Sequence, residues 1–395
     1  MIDFGLMPIA NGFLRPSDVG AEARYPLSVV ACPACAMVQL VDVVPPEILF
    51  PAEYAFHSST SYGMARHFQR LATDVIARHS GIVPFVVELG SNDGILLQHV
   101  AKAGIRHLGV EPAANVAAEA RAKGVNTVSR FFGAEVARAV REEYGPASTM
   151  IAANVLCHLA DIHDVIDGVD VLLSPDGVFI TEDPYLGDIL EKTSFDQIYD
   201  EHIFYFSLTS MEALFAPHGF CVVDVEAQPV HGGSMRYVMA RSGARAPGAR
   251  VLDLRHREST MQLKAAATYA DFRARVETTC AALRDLLVRL KDEGRRVVGY
   301  GATSKSTTTL VHCGITADLV EYISDTTPGK QGRLSPGAHI PIVPPSVFAA
   351  DYPDDAILFA WNHAAEVMEK EGEFLRRGGR FLTYVPELRF IGAPT

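Results

Sequence analysis

Between Phe85 and about Val225, short apolar runs rich in β-branched residues alternate with longer stretches whose apolar positions recur at helical spacing. The runs predict strands at 85–89, 107–110, 150–153, 178–181 and 222–225. Helices are predicted between them in "AANVAAEARAKG" and "GAEVARAVREEYG", each running out near a glycine. This alternation is that of a βαβ sheet. After the small-residue linker "RSGARAPGAR", residues 268–291 read as one long amphipathic helix. A second alternation follows, from "RRVVGYGATSKSTTTLVHCG" through "LVEYISD" and "DAILFAW" to "GGRFLTYVPE", and predicts a second, smaller parallel sheet. Residues 1 to about 75 are irregular and rich in Pro, Gly and aromatics. The expected layout is a small N-terminal module (1–75), a central α/β domain (76–240), and a helical linker with a C-terminal α/β domain (241–395). Neither an internal repeat nor a low-complexity tract interrupts it.

Length agrees, since 395 residues exceed what one ordinary core organises. A net charge of −12 argues against nucleic acid, whose phosphates reward clustered Lys and Arg, but leaves room for one local basic pocket. No apolar run approaches a membrane span, and the first residues lack a basic stretch leading into an apolar core. Six mostly isolated cysteines fit a reducing compartment, so the cytoplasm is expected.

Candidate chemistry begins at "VVELGSNDG", residues 86–94, where a buried strand runs into a turn containing Glu88, Gly90, Asn92 and Gly94. Glycine there admits a ligand against bare backbone. The next strand ends at Glu111-Pro112, and Glu111, 21 residues beyond Gly90, suits the ribose hydroxyls of an adenosine cofactor. A ligand-free glycine turn and a dinucleotide site are the rivals. The turn lacks the third glycine of a dinucleotide site, and Asp93 would oppose a pyrophosphate. A sulfonium cofactor with an ammonium group suits that acidity, which favours S-adenosylmethionine over NAD. Asn154, ending the strand at 150–153, borders the same crevice, with His158 one turn on.

The strings "NVLCHLAD", "YDEHIFYFS", "HGGSMR", "GYGATSKSTTTL" and "KQGRLSPGAHIPI" occur here in one order, after "FGLMPIANGFL", "YPLSVVACPACAMVQL" and "YAFHSSTSYGM". Carrying them, the chain resembles, over essentially its whole length, the sugar-nucleotide C-methyltransferases of deoxysugar biosynthesis, including that of antibiotics. The resemblance implies a zinc-ribbon-like N-terminal module, a central Rossmann-like (class I) methyltransferase domain and a second Rossmann-like domain. It implies methylation at carbon 3, or in some members carbon 5, of a nucleotide-linked, typically dTDP-linked, 4-keto-6-deoxyhexose. It also implies Tyr54, His158, Tyr199, Glu201 and His202 as the active-site set. One departure concerns the metal. The family's zinc site has four cysteines, whereas this module has Cys32 and Cys35, half of a tetrahedral site. Either the first pair lies ahead of the present start or the module holds its fold without metal, and tight zinc is not expected. Cys157, Cys221, Cys280 and Cys313 read as apolar fillers.

Carbon methylation needs an enolate, hence a base and donors for the oxyanion. "YDEH" offers His202 as base, Glu201 as its assistant and, with Tyr54, the Tyr199 hydroxyl as donor. A solvated loop or helix end is its bland reading, and on a strand Glu201 and His202 would point apart. In "GYGATSKS", Ser304 and Lys305, with Arg236, are candidates for gripping the pyrophosphate, against a glycine-rich turn with a solvated lysine. The expected partner is a nucleotide sugar, and the expected state a monomer or small homo-oligomer. Two rivals stand: an NAD-dependent oxidoreductase using "GYGATS" with Asp325, and a non-catalytic nucleotide-sugar binding protein.

Overall fold

The computed structural model describes residues 1–49, 62–78 and 84–392. Strands β1 (Ile2–Pro8), β2 (Arg24–Ala31) and β3 (Val38–Leu40) form an antiparallel ribbon. Its fourth strand, β9 (Phe204–Tyr205), comes from the middle of the chain, with Val38 opposite Tyr205. The N-terminal sheet thus grips the segment immediately after "YDEH".

The central sheet contains β4 (Phe85–Leu89), β5 (Arg106–Val110), β6 (Thr127–Val128), β7 (Ala147–Ala153), β8 (Leu173–Pro184), β10 (Phe220–Gln228) and β11 (Ser234–Arg241). Their order is β10-β11-β8-β7-β4-β5-β6. All five predicted strands are present. β11, by contrast, is an addition that runs antiparallel to β8 and β10, so the sheet is mixed. Strand order reverses between β4 and β7, and that switch point opens a crevice at their carboxyl ends.

The helix Ala266–Asp292 fulfils the long periodic stretch, burying Tyr269, Phe272, Val276, Cys280, Leu283, Leu287 and Leu290 at three- and four-residue intervals. Beyond it lie β12 (Val297–Tyr300), β13 (Ile323–Ser324), β14 (Ile342–Val343), β15 (Asp355–Leu358), β16 (Arg380–Thr383) and β17 (Arg389–Ile391). Their order is β14-β13-β12-β15-β16-β17, parallel except for the edge strand β17, which corrects the all-parallel expectation. A second switch point falls beside β12. One apolar core joins the N-terminal strands (Phe4, Val29, Val38), the long helix and this sheet (Ile323, Ile357, Leu382). The N-terminal module is therefore welded to the C-terminal part rather than free-standing. Among the described residues, no helix is long and apolar enough to cross a membrane.

Candidate active site

The first crevice forms where β4 ends. Gly90 and Gly94 have φ of +63° and +79°, in the left-handed region that glycine tolerates. A Cβ on Gly90 would lie 2.5 Å from a methyl of Val155, so only glycine lets these two turns meet. Glu111 accepts hydrogen bonds from the backbone N–H of Asn92 and of Ala113, both 2.9 Å, and so ties the β5 end with Pro112 to the β4 turn. Burial holds its pKa above the usual carboxylate value. Glu88 is pushed up well above that value by burial, then by the nearby Glu111 and Asp93. The buried Glu88 Oε2 and Asn154 Oδ1 have no hydrogen-bond partner among the described residues. Two buried acids, Glu88 and Glu111, and two orphaned acceptors around a crevice, beside an Asp93 already paired with Lys123 at 3.0 Å, suit a ligand with positive charge and hydroxyl or amino donors. S-adenosylmethionine fits that requirement: Glu111 suits its ribose, and Glu88, Asn92 and Asn154 its polar groups.

Next to this crevice, four of the five expected active-site residues converge. "YDEH" is a turn closed by the His202 N–H donating to the Tyr199 carbonyl at 3.0 Å, which settles the geometric question of the sequence. The two side chains leave it in different directions. His202 packs 5.2 Å from the His158 ring and 4.2 Å from that of Tyr199. Its Nδ1–H donates to the Gln197 carbonyl at 3.0 Å, and its Nε2 accepts from the Tyr199 hydroxyl at 2.9 Å. His158 Nδ1–H donates to the Glu201 carbonyl at 2.6 Å. Burial, with His158 nearby, lowers the pKa of His202 well below the ordinary value, and burial lowers that of His158. The His202 ring is consequently neutral with its basic nitrogen at Nε2, the form a general base requires. The Glu201 carboxylate accepts from Asn11 Nδ2 at 2.6 Å, and burial raises its pKa against the pull of Asn11 and Lys330. Tyr54 lies outside the described residues.

Residues 59–225 match the family described as "methyltransferase domain", residues 229–386 the "C-methyltransferase C-terminal domain", and residues 1–50 a "putative zinc binding domain". The chain is 38% identical over 398 residues to the C-methyltransferase NovU of Streptomyces niveus, an alignment covering 100% of this chain and 94% of that one. This chain belongs to the C-methyltransferase family. S-adenosylmethionine is its cofactor. Among solved structures it is similar to magnesium protoporphyrin IX methyltransferase (ChlM) from Synechocystis PCC 6803 with bound SAM, at 15% identity and a TM-score of 0.35, over 46% of this chain and 80% of that one. It is also similar to the PH0226 protein of Pyrococcus horikoshii OT3, at 16% identity and a TM-score of 0.38, over 51% and 100%.

In this C-methyltransferase the second switch point carries cations. Lys305 donates to Asn362 Oδ1 at 2.5 Å and lies 4.6 Å from the Trp361 ring centre; burial lowers its pKa, offset by Asp196. The Ser304 hydroxyl donates to Asn11 Oδ1 at 2.9 Å. Arg236 is placed otherwise than expected. Buried on β11, it gives Nε to Glu182 at 3.0 Å and a terminal nitrogen to Glu226 at 3.0 Å, while His67 meets the other Glu182 oxygen at 2.6 Å. Withdrawing it would leave Glu182 charged and buried, so its guanidinium is committed to the central sheet. Asp325 caps the turn after β12, accepting from the N–H of Ala302 and of Thr327, both 2.7 Å, the same two-amide pattern that Glu111 shows after β5. Asn11, Lys330, Asp196 and Trp361 were not singled out from the sequence. Asp196 accepts from the indole N–H of Trp361 at 2.6 Å and the Tyr384 hydroxyl at 2.8 Å.

The methyltransferase's zinc question stays with one pair of thiols. Cys32 and Cys35 sit in a knuckle: Cys32 N–H donates to Met37 O, Ala36 N–H to Cys32 O, and backbone amides of Cys35 and Ala34 lower the Cys32 pKa. Among the described residues no other Cys, His or carboxylate completes a ligand set with them. Half a site fits a four-coordinate zinc poorly. Burial pushes the Cys157 thiol well up, which agrees with a filler role.

Proposed function

We propose that this enzyme methylates carbon 3 of a dTDP-linked 4-keto-deoxysugar through an enolate. The observation that carries the reading is the neutral, buried His202, whose Nε2 accepts from the Tyr199 hydroxyl beside an acid-lined cofactor crevice. When bound, S-adenosylmethionine supplies an electrophilic methyl group. The chain's residues make the carbon nucleophile. The substrate ketone oxygen replaces His202 Nε2 as acceptor of the Tyr199 hydroxyl, which frees Nε2 to take the proton from the adjacent carbon. Tyr199, joined by Tyr54, stabilises the oxyanion, a contribution of about 10²–10³ in rate for a single good donor, while His158, whose proton goes to the Glu201 carbonyl, holds the turn in place. The imidazolium so formed is balanced by the enolate, so a base depressed by burial does not acquire an isolated charge. Glu201 assists from the other side of the turn.

At the second switch point, Lys305 and the Ser304 backbone N–H hold the diphosphate, the Ser304 hydroxyl being given to Asn11. A half-buried ammonium with a lowered pKa gains from an arriving anion, and the N-terminus of the helix Ser304–His312 adds to that attraction. Mass spectrometry of the enzyme with S-adenosylmethionine and a panel of dTDP-4-keto sugars tests the substrate class. A product heavier by one methylene supports it, and methylation confined to sugars without a ketone contradicts it.

A further inference from the structure

We propose that Asn11 is a positioning residue for methyl transfer, by which the N-terminal module orients Glu201 and links it to the diphosphate-binding turn. The proposal rests on the reading above that Glu201 works beside the reacting ketone. Three segments far apart in sequence meet here. Ala10 N–H points at both carboxylate oxygens of Asp200, each 3.2 Å away, and its carbonyl accepts from the Thr307 hydroxyl at 2.9 Å. Thr308 donates to Ile198 O at 2.8 Å. The backbone of Ala10 is thus pinned between the catalytic turn and the helix that begins at Ser304. Asn11 then uses both ends of its amide: Nδ2 donates to Glu201 Oε1 at 2.6 Å, and Oδ1 accepts from Ser304 Oγ at 2.9 Å.

The amide's orientation follows from chemistry. An ionised carboxylate only accepts, so Nδ2 must face Glu201, and the Ser304 hydroxyl satisfies the oxygen that is left. The arrangement differs from a packing contact in one respect. Asn11 is exposed while Glu201 is 6% exposed, so the Asn11 side chain adds little to the core yet holds an otherwise buried acid. Docking of the strap is already provided by Ala10, Thr307 and Thr308. The groups facing Glu201 from the packed elements are Asn11, Asp200 and Lys330. Asp200 is pushed up to about 7 by burial and by Glu201 itself, and Lys330 donates to Ala302 O at 2.7 Å behind Phe13. Among these neighbours Asn11 gives a short, directed hydrogen bond to the carboxylate. It favours the ionised form and fixes one oxygen, and Ser304, beside the diphosphate-binding Lys305, fixes Asn11 in turn.

The test compares the full chain with Asn11→Ala, Asn11→Asp, Glu201→Gln and the Asn11→Ala/Glu201→Gln double variant, using the dTDP-4-keto sugar and S-adenosylmethionine. Asn11→Ala should lower kcat by about tenfold, the loss of a hydrogen bond to a charged group. KM for either substrate and the melting temperature should hardly move. The acid limb of its kcat–pH profile should move to higher pH, because Glu201 loses a donor that stabilises its ionised form. Asn11→Asp should lose more, and increasingly as pH rises, since two adjoining buried carboxylates cannot both ionise. In the double variant the Asn11 change should add nothing to Glu201→Gln. A slow Glu201→Gln beside an Asn11→Ala enzyme of wild-type kcat and pH profile would overturn the role of Asn11 alone, as would losses that multiply or track a falling melting temperature. Glu201→Gln at the wild-type rate would overturn the assignment of Glu201 and this proposal with it.

Discussion

The molecule contains two parallel sheets, each with a glycine turn at a switch point, and the two turns have opposite chemistry. After β4 the turn is lined by Glu88, Asp93 and Glu111; Asp93 is paired with Lys123, and among the described residues Glu88 Oε2 and Asn154 Oδ1 have no hydrogen-bond partner. After β12 the strand-end acid, Asp325, accepts from backbone amides as Glu111 does, and the difference lies in the cations beside it, Lys305 bonded to Asn362 and Lys330 to the Ala302 carbonyl. The same backbone geometry therefore offers one site to a cation and the other to an anion. Fold alone assigns neither ligand; the charges placed on it do. The turn at 199–202 and the segment Ala10–Asn11 that binds it are where the proposed reaction takes place.

Substitutions at the meeting point should have the largest effect. His202→Asn is expected to lower kcat by about 10²–10⁴, the usual contribution of a general base, with both ligands still bound. Steady-state kinetics and calorimetry on one preparation check this, and turnover near the wild-type value would remove His202 from the mechanism. The next effect separates the two turns. Glu111→Ala should weaken S-adenosylmethionine by roughly 1.5–3 kcal/mol, the value of a hydrogen bond to a charged group, and leave dTDP binding unchanged. Lys305→Ala should do the reverse, raising the Kd for dTDP by about tenfold without touching the cofactor. Calorimetry in which either variant weakens both ligands alike would dissolve the distinction between the turns. Arg236→Ala serves as the contrast among cations: it should destabilise the fold by about 3 kcal/mol, read as a lower midpoint of unfolding, because it leaves the buried Glu182 with His67 in place of a guanidinium and a histidine.

A smaller effect sharpens the comparison through pH. Glu88 and Glu111 have raised pKa values, so they take up protons at a pH above the ordinary carboxylate range as pH falls. Affinity for the cationic S-adenosylmethionine should fall there, whereas that for uncharged-sulfur S-adenosylhomocysteine should fall less. Equal pH dependence for the two ligands would mean that the acids do not sense the sulfonium.

Much of this was legible in the sequence because local pattern produced it. The five predicted strands of the central sheet announce themselves by β-branched runs, and the helix Ala266–Asp292 by its spacing. β11 did not, since its residues 234–241, SMRYVMAR, include a single β-branched residue, Val238, and so lack the run that marks the other strands. Arg236 was misplaced for a related reason: its partner Glu182 lies 54 residues away, and nothing in "HGGSMR" points to it. Asn11 sits in a string that marks the family, but its role arises only where residues 190 and 293 positions distant reach it. Local chemistry names candidate groups; tertiary contacts decide which are free to act.

The most direct test of the whole account is the position of the transferred methyl group. The enzyme is incubated with S-adenosylmethionine carrying a carbon-13 methyl and a dTDP-linked 4-keto-6-deoxyhexose, and the product is read by carbon–proton correlation NMR. The account predicts a labelled methyl bonded to ring carbon 3, next to the ketone. A labelled methyl on oxygen, or no transfer to any 4-keto sugar while the cofactor is bound, would contradict it.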